Sequence, residues 1–327
     1  MSDSAADLLR LVNGHQVARA IQVAAELGVA DSLGDEARDV SDVARETGAD
    51  EASLYRLLRA LASVGVLHES EGRRFALTEL GRPLRTDDPH SVAGWAAFAG
   101  TPSIWAAWGA LDHSIRTGEN AFKHVHGADV WAYRSERPEE SARFDRAMAS
   151  HTSRASDAVL EVESFGRFST IVDIGGGNGA LLAKILDRNP EARGILFDQP
   201  HVVAEAELPS RCQAVGGSFF EAVPDGADAY VLKAIIHDWE DPEALRILSA
   251  CRRAARPGTS VLVVERELGD PNADPTVKFG DLNMLVNPGG CERTTAELAA
   301  LLTSAGFRFV GATPSSSGWH LFEGVAE

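Results

Sequence analysis

Positive charge is scarce in this chain. Its 327 residues hold 31 lysines and arginines against 48 aspartates and glutamates, a net charge of −17. That balance repels phosphate backbones and acidic membrane surfaces, so it argues against nucleic-acid work and for small-molecule chemistry. Cysteine is scarcer still. Cys212, Cys251 and Cys291 are an odd number without metal or redox spacing, which speaks for free thiols in a reducing cytoplasm rather than a disulfide framework. No apolar run approaches the ~20 residues of a membrane span. The acidic start Met1-Ser-Asp-Ser has no signal-peptide character, so a cytoplasmic location is expected. No His/Asp/Cys set has metal-ligand spacing, and internal repeats and low-complexity segments are missing too.

What is present is a well-stocked apolar interior, 44% of residues being hydrophobic. The length exceeds what one small core needs, and two domains are the natural reading. The most informative stretch runs Thr170-Ile-Val-Asp-Ile-Gly-Gly-Gly-Asn-Gly-Ala-Leu-Leu-Ala-Lys-Ile185. A β-branched apolar run reads as a buried parallel strand. It breaks at Gly175, Gly176, Gly177 and Gly179, and an amphipathic helix opens at about Ala180. Glycines there let a ligand approach main-chain N–H groups at a helix start. Asp198, at the end of a second apolar run, is placed to accept hydrogen bonds from ribose hydroxyls. This is a nucleoside-cofactor signature. The spacing Gly175-x-Gly177-x-Gly179 departs from the dinucleotide G-x-G-x-x-G. Asp173 puts a carboxylate where a pyrophosphate is disfavoured but an ammonium or sulfonium is welcome. Both points favour S-adenosylmethionine over NAD.

Residues 1–90 read as helical with a small wing. Leu8, Leu9 and Val12, then Val17, Ile21 and Ala24, recur at helical spacing. Asp39 to Gly48 carries cap and turn residues around a short helix, and Leu54, Leu57, Leu58 and Leu61 stripe the next. A hairpin-like pair of strands follows around Glu71-Gly72. This winged-helix pattern would suit DNA, but the acidic charge opposes that, and a dimerisation or scaffold role is favoured. Residues 91–165 read as a helical, aromatic-rich linker or substrate-lid region. Most of its aromatics are core by default, with some free to line an apolar pocket. From 166 to 327, strands at Ile171–Ile174, Gly194–Phe197, Ala229–Leu232 and Ser260–Val264 alternate with helices. Phe307–Val310 and Trp319–Phe322 read as closing strands. The fold class is therefore α/β, a doubly wound Rossmann-like sheet behind a mostly helical N-terminal domain.

Three further stretches fall at strand ends, where ligand sites of open α/β sheets gather: Tyr230-Val-Leu-Lys-Ala-Ile-Ile-His-Asp-Trp-Glu-Asp241, Val263-Val-Glu-Arg266 and Asn287-Pro-Gly-Gly-Cys-Glu-Arg-Thr294. With the glycine loop, they resemble the S-adenosylmethionine-dependent O-methyltransferases acting on phenolic small molecules. That class includes plant caffeate- and flavonoid-type enzymes and bacterial enzymes of aromatic antibiotic biosynthesis, and the chain looks more like the bacterial branch. The resemblance covers nearly the whole chain. It implies a class I methyltransferase domain, a homodimer through the N-terminal domain, S-adenosylmethionine as cofactor and an aromatic hydroxyl as acceptor.

The resemblance makes His237 the general base, flanked by Glu265 and Glu292, one of which orients the ring. A strand-end ion pair with Arg266 or Arg293 is the alternative role for the two glutamates. It places Gly175 at the amino-acid portion of the cofactor, Asp198 at the ribose and Lys233 near the adenine or ribose, with Asp173 and Gly177 in the same loop. The family's G-D-F-F reads here Gly217-Ser218-Phe219-Phe220. Ser218 brings no charge to the adenine amine, while Phe219 remains able to pack on the purine. Trp131, Met148, Met284 and Asn287 correspond to positions lining the acceptor pocket; Asp238, next to the base, is counted with the substrate-binding residues as a cap or hydrogen-bond acceptor behind the histidine and not as a catalytic group. Diversion of the fold to decarboxylation or hydroxylation, a non-catalytic winged-helix regulator and a nicotinamide oxidoreductase stay open as alternatives.

Overall fold

The computed structural model describes residues 4–204 and 206–327, and the side chains of all of these except 149–155. Met1 to Asp3, part of the acidic start, lie outside the described residues. The chain forms two compact units, residues 1–105 with 138–151, and residues 106–137 with 152–327.

In the first unit, helices Ser4–Val12, Gly14–Glu26, Val29–Leu33, Val40–Thr47 and Glu51–Ser63 accompany a three-stranded antiparallel sheet. Its strands are β1 (Arg38–Asp39), β2 (Leu67–Ser70) and β3 (Arg74–Leu77), in the order β1-β3-β2. Local chemistry sets the boundaries. Asp39 caps the Val40–Thr47 helix by accepting from the Ser41 N–H, and left-handed Gly48 ends it. Leu54, Leu58 and Leu61 are buried on one helical face against Phe75. The first helix differs from its reading. Leu8, Leu9, Leu11 and Val12 are all exposed, Leu11 at 78%, so its apolar stripe does not join this chain's own core.

The second unit carries the seven-stranded sheet: β4 (Thr170–Ile174), β5 (Arg193–Asp198), β6 (Cys212–Gly216), β7 (Ala229–Lys233), β8 (Ser260–Arg266), β9 (Phe307–Pro314) and β10 (Trp319–Ala326). The order is β6-β5-β4-β7-β8-β10-β9, parallel from β6 to β8, with β10 antiparallel to both β8 and β9. Period-two alternation sorts the side chains. Ile171, Val231, Leu262 and Val264 face one core, and Val172, Tyr230, Leu232, Val261 and Val263 face the other. The chain leaves β4 toward β5 and returns to its other side as β7. The β4/β7 junction is thus the switch point where α/β sheets bind ligands.

Strand β6 has no counterpart among the strands expected from the sequence. It is an edge strand with Gln213 and Ala214 exposed, so it has no continuous apolar run to betray it. The aromatics of 91–165 also differ from the core reading. Phe98 and Phe122 are buried, but Trp95, Trp105, Trp108, Trp131, Tyr133 and Phe144 are half-buried. Amphipathic rings line surfaces as readily as they fill cores.

Candidate active site

The site is assembled from strand ends. Past Ile174, Gly175, Gly177 and Gly179 take φ of 67°, 60° and 79°, a left-handed backbone that L side chains adopt only with strain. At two positions of the loop space is also closed to a side chain. A Cβ on Gly175 would meet Ile235 Cδ1 at 2.4 Å, and one on Gly176 would meet Asp173 Oδ2 at 2.6 Å. The helix Ala180–Arg188 then starts from Gly179, leaving first-turn N–H groups for a ligand.

Asp173 is 1% exposed, and its Oδ2 has no hydrogen-bond partner among the described residues. Burial raises its carboxyl to about 7, with Lys233 pulling the other way and Asp198 adding to the rise. Asp198 closes β5. Its Oδ2 accepts from the Gly177 N–H at 2.9 Å and its Oδ1 from the Gln199 N–H at 2.6 Å. The carboxylate therefore caps the glycine loop, a role that sequence reasoning missed. About four acceptor positions on a carboxylate leave room for a ribose as well. Lys233 ends β7, half-buried beside Asp173, Glu265 and Asp238; desolvation lowers its ammonium pKa and the three carboxylates oppose that. Ser218 Oγ accepts from the Phe220 N–H at 3.3 Å. The Phe219 ring stands edge-on to Phe220 and Trp239, 3.9 Å from where a Gly175 Cβ would lie.

After β7 the chain turns through Ala234 at φ 54° into a 3-10 turn, Ile236–Asp238. One carboxylate holds this turn. Parallel pairing sets Lys233 beside Val264, which leaves Glu265 one step beyond. Glu265 Oε1 accepts from the N–H groups of Ile235, Ile236 and His237 at 3.1, 2.8 and 3.3 Å. His237 Nδ1 lies 3.0 Å from Glu292 Oε1 and 3.4 Å from Glu265 Oε2, and its Nε2 is 3.7 Å from Asp238 Oδ1. Glu292 is placed by its own N–H, which donates to Asp281 Oδ1 at 2.9 Å. Burial by itself lowers the His237 pKa, but Glu265, Glu292 and Asp238 outweigh it and raise the imidazole to about 10. Burial also raises the Glu265 carboxyl, against the pull of His237.

Arg293 does not pair with either glutamate in the contacts described. It is 4% exposed, donates to the carbonyls of Ile236 and Trp239 at 3.1 and 2.8 Å, and bonds Asp241 at 3.0 Å. Arg266 lies with its guanidinium 5.0 Å from the Trp319 ring centre. The ion-pair alternative for the glutamates therefore gives way to a histidine flanked by two carboxylates. Sequence reasoning missed both the pinning of the turn by Arg293 and the buried Arg134, whose positive charge acts on Asp238.

Of the residues expected at the acceptor pocket, Trp131 stacks on Trp239 with ring centres 6.0 Å apart at 21°. Buried Met284 stands in the helix Pro275–Val286, and Asn287 ends that helix, buried. Met148, half-buried, belongs to the other compact unit.

The family model of an O-methyltransferase domain matches residues 108–308, and that of an O-methyltransferase dimerisation domain matches residues 9–87. This chain belongs to the O-methyltransferase family. It is 39% identical to the phenazine O-methyltransferase PhzM of Lysobacter antibioticus, over 97% of this chain and 94% of the relative. It is 40% identical to the mitomycin biosynthesis 6-O-methyltransferase of Streptomyces lavendulae, over 94% and 90%. The crystal structure of the O-methyltransferase NcsB1 from neocarzinostatin biosynthesis, in complex with S-adenosylmethionine and 2-hydroxy-5-methyl naphthoic acid, matches at a TM-score of 0.82 and 34% identity, covering 95% of this chain and 96% of that one.

The methyl donor of this O-methyltransferase is S-adenosylmethionine. The residues at the switch point suit that cofactor. Asp173 offers to a cation a buried carboxylate oxygen that has no partner among the described residues, the glycine loop offers main-chain N–H groups, and Phe219 offers a ring.

Proposed function

We propose that this O-methyltransferase methylates a hydroxyl of an aromatic small molecule of bacterial secondary metabolism, with His237 as general base and Glu292 as the group that orients it. The 3.0 Å contact between His237 Nδ1 and Glu292 Oε1 carries this reading. It fixes the proton of the neutral ring on Nδ1 and turns the Nε2 lone pair toward the acceptor. Glu265 acts differently, holding the turn that presents the histidine.

When bound, S-adenosylmethionine supplies a methyl already activated on a sulfonium. The protein contributes alignment, exclusion of water and a proton acceptor. A phenol titrates near ~10 and a free imidazole near ~6.5, so proton transfer to an ordinary histidine is uphill. The carboxylates raise His237 to about 10, which brings the two groups level. Nε2 takes the hydroxyl proton as the oxygen–methyl bond forms, a contribution of ~10²–10⁴ in rate. We assign the trio His237, Glu265 and Glu292, which lie within 4.8 Å of one another, no metal, because Nδ1 stands at hydrogen-bond length from its carboxylate.

Around the cofactor we assign Asp173, Gly175, Gly177, Asp198, Ser218, Phe219 and Lys233. Around the acceptor we assign Trp131, Asp238, Met284 and Asn287, an aromatic and sulfur-bearing lining suited to a flat ring. The relatives that act in phenazine and mitomycin pathways and the naphthoic acid complex support an acceptor of that kind. We further propose a cytoplasmic homodimer; the dimerisation-domain match and the exposed leucines of the first helix support the dimer. No described helix is long and apolar enough to cross a membrane.

Isothermal titration with S-adenosylhomocysteine, with NADH as control, tests the cofactor half of this reading. Micromolar binding lost in Asp198→Ala supports it. Preference for NADH contradicts it.

A further inference from the structure

The turn that carries His237 is gripped at both of its ends. Glu265 takes the N–H groups of Ile235, Ile236 and His237, and the carbonyls at the other end fall to Arg293. Its Nη1 donates to the Ile236 carbonyl at 3.1 Å and to that of Cys291 at 3.3 Å, and its Nη2 donates to the Trp239 carbonyl at 2.8 Å. The donors of a short helical turn thus meet a carboxylate and its acceptors meet a cation, as the dipole of the turn favours. His237 and Asp238 lie between the two turn carbonyls that Arg293 holds.

Arg293 is itself placed by the sheet. It forms a parallel bridge with Glu267, two residues past Glu265, and its carbonyl accepts from the Leu268 N–H at 3.0 Å. Both grips are therefore registered on one run of chain leaving β8. The segment before Arg293 presses on the same turn. A Cβ on Gly290 would stand 2.1 Å from the His237 carbonyl oxygen and 2.4 Å from the Trp239 nitrogen, so glycine is what lets the two backbones touch. Glu292, next to Arg293, holds the ring through Nδ1. One short segment thus sets the backbone and the ring of His237 together.

The ion pair with Asp241 accounts for little of this. Nε donates to Asp241 Oδ1 at 3.0 Å, but Arg293 is 4% exposed and the Asp241 side chain 73%. A partner so open to water contributes little. A guanidinium taken out of water needs its donors used, and the three carbonyls use them. A lysine ammonium lacks the planar fork that meets carbonyls on both sides of His237.

We infer that Arg293 is a positioning residue for methyl transfer, which by holding the Ile236 and Trp239 carbonyls fixes the point at which His237 Nε2 meets the acceptor hydroxyl. This rests on the assignment of His237 as general base proposed above and deepens it.

The test is turnover per cofactor site on a hydroxyaromatic that the native enzyme methylates, the sites in each preparation being counted by titration with S-adenosylhomocysteine. A group needed only for folding lowers the number of sites, whereas a positioning group lowers what each site does. Arg293→Lys should lose about 10–100-fold in kcat per site, the cost of displacing a reacting group by up to ~1 Å, with KM for S-adenosylmethionine and the dissociation constant of S-adenosylhomocysteine within about threefold. Arg293→Gln, uncharged, should show the same split should the lysine variant not fold. Asp241→Asn should keep kcat within about threefold, because an exposed ion pair is not the source of the effect. Native turnover per site in both arginine variants, an equal loss in Asp241→Asn, or the disappearance of cofactor sites from both arginine variants would overturn the inference. Native turnover in His237→Ala, or no methyl transfer by the native enzyme to any hydroxyaromatic, would instead overturn the assignment on which it rests.

Discussion

His237 and Glu292 meet through Nδ1 and Oε1 at 3.0 Å, whereas Glu265, equally close in sequence pattern, spends its Oε1 on three backbone N–H groups. Two carboxylates beside one imidazole thus have separable consequences. Glu292→Gln should lower kcat by about 10–100-fold through the lost tautomer control, with S-adenosylhomocysteine affinity nearly unchanged. Glu265→Ala should leave three N–H donors, that of buried Ile236 among them, without this partner and destabilise the fold by about 2–4 kcal/mol, read by denaturant unfolding. Equal kinetic and stability effects from both variants would contradict this division.

The pH profile follows from the His237 shift. With the imidazole raised to about 10, the neutral form is a minority at pH 7. The log of kcat/KM should climb with a slope near one from pH 7 toward that value. Glu292→Gln removes one source of the shift and moves the rise to lower pH. The sign for stability is opposite. A histidine whose folded pKa lies above ~6.5 contributes stability that is complete below that pH and is lost as pH rises toward about 10. Melting temperatures across this window check it.

Asp173 predicts proton release on cofactor binding. Burial holds its carboxyl at about 7, so the fold retains a proton there that the unfolded chain loses near ~3.9. Stability from this group therefore declines as pH rises from ~4 to about 7. The ammonium of S-adenosylhomocysteine, its one positive group, favours the ionised form, so affinity for it should increase as pH passes upward through 7. Titration in buffers of different ionisation enthalpy measures the released proton, and Asp173→Asn should abolish the release.

The first helix supplies a prediction about assembly. Leu8, Leu9, Leu11 and Val12 are exposed together on Ser4–Val12, an apolar stripe with no place in its own core. Leu8→Glu combined with Val12→Glu should shift sedimentation from dimer toward monomer. An unchanged dimer would place the interface elsewhere.

Much of the fold was legible because the decisive signals are local. The run Ile171–Ile174 with its glycines, the Asp39 cap with Gly48, and the strand alternation each rest on backbone preferences that act within a few residues. Strand β6 was not legible, since an edge strand lacks the double-sided burial that makes β4 or β7 stand out. At the site, the motif resemblance brought His237, Glu265 and Glu292 to attention, and the structure gathers them. The division of labour between the glutamates was beyond reach, because it depends on Ala234 turning left-handed so that three N–H groups converge on Glu265. The loop-capping by Asp198 was equally hidden, being a contact across 21 residues.

The most direct test of the account is methyl transfer by His237→Ala measured alongside S-adenosylhomocysteine binding in the same preparation. The account predicts a loss of about 10²–10⁴ in kcat on the true acceptor, with the dissociation constant unchanged and the alkaline rise of the pH profile gone. Native turnover in this variant, with that rise intact, would contradict it.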